Sequence, residues 1–318
     1  MDILLLLVGL GLILVGANYL TDGAAAVAQR FRMPEFIIGL TIVAIGTSMP
    51  EMVVSVMSAI HGSSDLAIGN VVGSNVFNVF LILGICALIA PLGLTRGNIR
   101  RDIPIGVAAS LLLLLCASDR ILGLGEVNVI GRWEGIGMIL LYILLMFWTI
   151  RKTREELPAE ESQEEQKKPM ALWLALVMIV GGLCGLIFGG EMFVNNATLL
   201  ARRMGVSESV IAITLVAGGT SLPELASSVV SLLKGKADMA LGNVVGSNIA
   251  NILLILGLSS TIHPLTLGGI TLFDLLVVLL SSVLLFVSAY TFRRRAIDRW
   301  EAVLFLVIYA LYIGQLVR

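Results

Sequence analysis

Apolar residues along the chain gather into ten runs, at about 3–24, 36–60, 67–90, 103–118, 131–150, 170–198, 209–233, 239–262, 270–291 and 300–317. A helix needs about 20 largely apolar residues to cross a bilayer, whereas a barrel strand needs about ten that alternate in polarity. These runs have helical length and no period-two alternation, so the pattern predicts an all-α integral membrane protein with ten transmembrane helices. The only sizeable polar stretch is Arg151–Lys168, RKTREELPAEESQEEQKK. Its Glu, Gln and Lys content marks a solvated linker over 151–169. The linker divides the chain into 1–150 and 170–318, with five predicted spans in each. Leu4–Val15 has the length of a signal-peptide core, but only Met1 and Asp2 precede it and no basic region leads it. It reads as a first span kept in the mature protein.

Composition agrees. Of the 318 residues, 58% are hydrophobic and 14% charged, against roughly 25% charged in soluble domains. Mean hydropathy is +0.98. So little polar sequence remains that a large extramembrane enzyme domain, a nucleic-acid binder and a secreted protein are excluded. Cys86, Cys116 and Cys184 sit inside apolar runs without metal-site spacing and read as small core residues. Charge placement gives orientation: with the N-terminus outside, 16 of the 21 basic residues fall in cytoplasmic segments. Both termini then face out and the 151–169 linker faces the cytoplasm.

The two halves repeat at an offset of 173 residues. GTSMPEMVVSVMSAIHGSSDLAIGNVVGSNVFN starts at Gly46 and GTSLPELASSVVSLLKGKADMALGNVVGSNIAN at Gly219, with 19 of 33 positions identical. Thr41, Val43 and Ala44 match Thr214, Val216 and Ala217 upstream. Such self-similarity exceeds what shared hydrophobicity produces. Because five spans is an odd number, the second copy must enter from the opposite face, as an inverted repeat. Inverted repeats with interrupted helices at matching positions point to a secondary transporter whose substrate site lies where the copies meet.

The repeated residues carry the candidate chemistry. Pro50, with Gly46 before it, is expected to kink the second span and free carbonyl oxygens around Ala44–Gly46. Thr47 and Ser48 add hydroxyls, and Glu51 adds a carboxylate. The second copy supplies Ala217, Thr220, Ser221, Pro223 and Glu224. All the donors are oxygens, which disfavours soft metals and suits a hard cation such as Ca²⁺. Two glutamates supply −2, matching one Ca²⁺ or two monovalent ions. In the GNVVGSN block, Gly69, Gly73, Gly242 and Gly246 have small-xxx-small spacing. Ser74 and Asn78, like Ser247 and Asn251, are four apart on one face. Asn70, Asn75, Asn243 and Asn248 are divided between interhelical hydrogen bonding and ion contact. Asp65 and Asp238 read as helix-start residues and Asp274 as interfacial. Glu191 reads as an interhelical hydrogen-bond partner, and His61 and His263 as structural. No nucleotide-binding or hydrolase motif is present.

GTSMPE with GNVVGSN, duplicated as GTSLPE with GNVVGSN, resembles the two alpha-repeats of the sodium/calcium exchanger superfamily, here spanning 41–78 and 214–251. The resemblance implies Na⁺-driven Ca²⁺ antiport by alternating access, with spans one and six sliding past the other eight. It implies Glu51 and Glu224 as central Ca²⁺ ligands, joined by the carbonyls of Ala44 and Ala217 and the hydroxyls of Thr47 and Thr220. It implies Na⁺ sites at Ser48, Ser74, Ser221 and Ser247, with Asn78 and Asn251 lining the centre. Ca²⁺ and Na⁺ would be the substrates and lipid the surroundings, with no cofactor, enzymatic activity or obligatory protein partner. Some relatives carry Asp where Asn251 stands, so only two central carboxylates remain, which argues against K⁺ co-transport. The short linker has no room for Ca²⁺-sensing domains, and the compact form resembles a prokaryotic member. Ca²⁺/H⁺ exchange, or K⁺-dependent Na⁺/Ca²⁺ exchange, through the same glutamates is the alternative. An intramembrane hydrolase built on the carboxylate pair fits the flanking hydroxyls and prolines poorly.

Overall fold

The computed structural model describes residues 2–123, 127–156, 170–205, 218–291 and 295–316. Its main helices are α1 (Asp2–Phe31), α2 (Glu35–Thr47), α3 (Met49–Ile60), α4 (Ser64–Ile89), α5 (Ile103–Cys116), α6 (Arg132–Glu156), α7 (Leu172–Arg203), α8 (Leu222–Leu233), α9 (Ala237–Ile262), α10 (Leu272–Ser288) and α11 (Arg299–Leu316). Six of them are long and apolar enough to cross a membrane, and seven spans result when α2 and α3, bent by 48°, count as one. Helix α6 continues through Glu156, six residues into the polar stretch. The rest of that stretch, 157–169, lies outside the described residues.

Burial sorts the helices by position. The most apolar stretch of α9 is 94% buried and that of α4 is 72% buried, against 28% for α1, α6 and α7. The two helices that carry the GNVVGSN blocks therefore form the centre, and α1, α6, α7 and α11 surround it. Gly242 and Gly246 on α9 lie against the backbone carbonyls of Phe36 and Leu40 on α2, where a side-chain Cβ would collide with main chain. Backbone approach this close lets polar groups on α2 and α9 meet without intervening side chains.

Helices α1 and α7 pair antiparallel along a seam of small residues. Gly9 lies against Gly189, Gly16 against Gly182 and Gly23 against Ala175. The outer sides of both helices carry exposed Leu, Val, Trp and Phe side chains, as a lipid-facing pair requires. Arg203 at the end of α7 pairs with Asp2 at the start of α1, and Lys234, just past α8, pairs with Asp22 on α1 at 2.7 Å. Lys236 pairs with Glu35 at 2.5 Å nearby.

Two features were not anticipated from the sequence. Strands β1 (Leu92–Gly93), β2 (Val129–Ile130), β3 (Leu265–Thr266) and β4 (Ala296–Ile297) form two antiparallel pairs, β1 with β4 and β2 with β3. Each pair joins one half of the chain to the other. The central helices also contain wide π-helical segments, at Gly39–Val43, Phe77–Leu83 and Asn251–Leu256. π segments open the hydrogen-bond ladder and recur at functional sites.

Candidate functional site: a reciprocal cluster of buried oxygens

Ser48 breaks the path from α2 to α3 at φ −80°, ψ 9°, and Ser221 precedes α8 in nearly the same conformation, at φ −90°, ψ 6°. Each begins a new helix with proline in the first turn, where the missing N–H costs nothing. The prolines therefore start helices rather than unwinding them. The carbonyls of Ala44 and Gly46 still accept backbone N–H groups, Ala44 from Ser48 at 3.0 Å. The expectation of freed carbonyls is corrected on this point. A consequence is that Glu51 and Glu224 sit in the first turns of α3 and α8, where unpaired helix N–H groups favour negative charge.

Both glutamates are 1% exposed, and the bonds between the copies are reciprocal. Ser221 donates to Glu51 Oε1 at 2.8 Å, and Ser48 donates to Glu224 Oε1 at 2.8 Å. Each carboxylate thus reaches the serine three residues before the other. Ser74 adds a longer contact to Glu51 Oε1 at 3.4 Å and accepts from Ser221 at 3.1 Å. The second oxygens, Glu51 Oε2 and Glu224 Oε2, are buried without a partner among the described residues.

The surrounding amides repeat the same exchange. Asn70 donates to the Glu51 carbonyl at 3.1 Å and to Ser55 at 2.9 Å; Asn243 donates to the Glu224 carbonyl at 3.4 Å and to Ser228 at 3.0 Å. Their oxygens accept from Thr220 at 3.4 Å and Thr47 at 3.2 Å. Asn70 and Asn243 thus act as interhelical hydrogen-bonding groups, a role the sequence left undecided. Thr47 is four residues from Glu51, but the break at Ser48 separates them, and its hydroxyl also bonds Val43 O at 3.1 Å. Asn78 donates to Asn248 Oδ1 at 3.0 Å and Asn251 to Asn75 Oδ1 at 3.1 Å. This leaves Asn78 Oδ1, Asn251 Oδ1 and Ser247 Oγ buried without partners among the described residues. Asn75 and Asn248 are the residues that sequence reasoning undervalued, although their place in both GNVVGSN copies marked them.

The other polar residues divide. Asp65 and Asp238 occupy first turns, as expected of helix-start residues. Asp274 closes a capping box with Thr271 and accepts from Tyr312 at 3.1 Å. His61 and His263 bond local carbonyls, at 2.7 Å and 2.9 Å. Glu191 is exposed, and the interhelical bond expected of it is not found among the described residues. Cys86 is buried but Cys184 is exposed, on the outer side of α7. Ala217, with Thr214 and Val216, lies outside the described residues.

No third acid, histidine or cysteine groups with the two glutamates among the described residues. The cluster is two carboxylates amid neutral oxygens, with buried acceptors that lack donors. Buried acceptors are nearly always satisfied in folded proteins, and a hard cation satisfies several at once.

A family model described as "Sodium/calcium exchanger protein" matches residues 1–151 and 174–317. The chain belongs to the sodium/calcium exchanger family. It is accordingly a membrane transporter and not an enzyme. Among its relatives are CaxA of Alkalimonas amylolytica, 38% identical over 81% of this chain and 80% of that one, and the sodium/calcium exchanger MaX1 of Methanosarcina acetivorans, 30% identical over 98% and 97%. Among solved structures, the sodium-calcium exchanger NCX_Mj soaked with 2.5 mM Na⁺ and 0.1 mM Ca²⁺ superposes with a TM-score of 0.83 at 30% identity, covering 98% of this chain and 97% of that chain.

Proposed function

We propose that this exchanger moves Ca²⁺ against Na⁺ across the membrane by alternating access at the reciprocal oxygen cluster. The observation that carries the reading is the pair of serine–glutamate bonds between the two copies, with Oε2 of each carboxylate buried and lacking a donor among the described residues. Two carboxylates in a dry site repel unless a cation lies between them, and −2 is balanced by one Ca²⁺ or by two Na⁺. Mutually exclusive occupancy of one charge-matched site is antiport.

In this reading Glu51 and Glu224 are the central Ca²⁺ ligands, with Thr47, Thr220 and the carbonyls of Ala44 and Ala217 beside them. Ser48, Ser74, Ser221 and Ser247 hold Na⁺, and Asn78 and Asn251 line the centre. The protein has ten spans in two inverted halves, 1–150 and 170–318, joined by a cytoplasmic linker at 151–169, with both termini outside. Reciprocity at the serine–glutamate, threonine–asparagine and asparagine–asparagine bonds supports the two-fold relation. The glycine seam packs α1 and α7 backbone against backbone, so that they can move as one body.

The test is a gradient swap in proteoliposomes. Vesicles loaded with Na⁺ should accumulate radiolabelled Ca²⁺ in Na⁺-free medium, and equal Na⁺ on both sides should abolish uptake. K⁺ should make no difference, given amides at both Asn78 and Asn251. Uptake that follows an imposed proton gradient and ignores Na⁺ would transfer the reading to Ca²⁺/H⁺ exchange.

A further inference from the structure

Away from the central oxygens, a cavity of about 480 Å³ is lined by Arg96, Ile99, Arg100, Ala289, Tyr290 and Arg295. It lies between the segment that leads into α5 and the turn that follows α10. Its three arginines are exposed and make no ion pair among the described residues. The acids close by in sequence are committed elsewhere. Asp102 pairs with Arg101 at 2.8 Å, and Glu301 accepts from Thr291 at 2.7 Å and from the Asp298 N–H at 3.0 Å. Three guanidinium groups around one concavity repel each other and present forked donors suited to phosphate oxygens.

The walls are built rather than incidental. Strands β1 and β4 pair beside the cavity, Leu94 N–H donates to the Arg295 carbonyl at 2.8 Å, and Arg295 N–H donates to Ala289 O at 3.0 Å. Arg295 is held at φ 61°, a region that non-glycine residues seldom occupy. The end of α10, which brings Ala289 and Tyr290 to the cavity, exposes Val287 and Tyr290. An aromatic and aliphatic rim beside arginines is the profile of a membrane interface. A free phosphate would use the arginines and ignore that rim; a phospholipid uses both.

We propose that this cavity binds the phosphate headgroup of an anionic phospholipid, with Arg96, Arg100 and Arg295 on the phosphate and the acyl chains along the exposed rim. The site is separate from the glutamate cluster and does not depend on the ion chemistry proposed there. The full chain, purified in detergent, is titrated with phosphatidylglycerol, phosphatidylcholine or inorganic phosphate, with bound lipid read by native mass spectrometry. Phosphatidylglycerol should be retained over phosphatidylcholine. The Arg96→Gln/Arg100→Gln double variant should bind it roughly 25-fold more weakly, about fivefold for each cation lost near an anionic headgroup. Arg295→Gln, which leaves the turn backbone in place, should weaken it about fivefold. Unchanged Ca²⁺ affinity in these variants shows that the fold is intact. Equal retention of both lipids, equal binding by wild type and variants, or displacement of the lipid by millimolar inorganic phosphate would overturn the proposal.

Discussion

Replacing either central carboxylate by its isosteric amide isolates charge from shape. In Glu51→Gln, Ser221 can still donate to Oε1 at the 2.8 Å position, so the packing of two buried helix starts is preserved. What is lost is one unit of negative charge beside the cation. At an effective dielectric of 20, a divalent cation about 3 Å from the carboxylate centre gains roughly 11 kcal/mol. Several kcal/mol of that is offset because the amide no longer carries the desolvation penalty of a buried ion, and its oxygen remains a ligand. A net loss of about 4 kcal/mol or more, a thousandfold in Ca²⁺ affinity, is expected. Because the bonds are reciprocal, with Ser48 on Glu224 also at 2.8 Å, Glu224→Gln should fall by a similar factor. Calorimetric Ca²⁺ titration of both variants, with Na⁺-driven uptake in parallel, measures this. Ca²⁺ affinity within tenfold of wild type in either variant, or a difference above about tenfold between them, would refute a shared, charge-balanced site.

Three further outcomes follow from the geometry. Ser48→Ala and Ser221→Ala each remove a charge-assisted bond worth about 1.5–3 kcal/mol; Na⁺ should compete with Ca²⁺ at least tenfold less well, measured as the shift in Na⁺ inhibition of Ca²⁺ binding. Gly16→Ala should lower the thermal midpoint, since its Cβ would lie 2.7 Å from Gly182 O and 2.8 Å from Leu186 N, main chain that cannot yield, at about 1–3 kcal/mol. Gly11→Ala on the same helix meets nothing within 4 Å and should leave the midpoint unchanged or raise it. Asn75→Leu strands the Asn251 amide that bonds it at 3.1 Å; stability should fall by about 1–3 kcal/mol, read as a lower thermal midpoint, with a drop in Ca²⁺ affinity.

Much of this molecule is a statement about solvent, and solvent preference is written locally. Apolar runs of helical length mark where the chain meets lipid whatever it later packs against, so the helices lie close to the runs that predict them. The 173-residue repeat is equally local information, and through it Glu51, Glu224 and their serines were legible as a matched set. Tertiary contact decided what each group faces. The sequence cannot tell that Ser221 turns to Glu51 while Thr220 turns to Asn70, because those partners lie 170 and 150 residues away. Nor does it reveal that proline starts a helix at Met49 instead of freeing the Ala44 carbonyl, since both outcomes satisfy the ring. The β1–β4 and β2–β3 pairs and the arginine cavity likewise arise only when distant segments are brought together. Hydrophobicity and repetition belong to single residues and their spacing; hydrogen-bond direction and cavity shape belong to pairs, and pairs exist only in the fold.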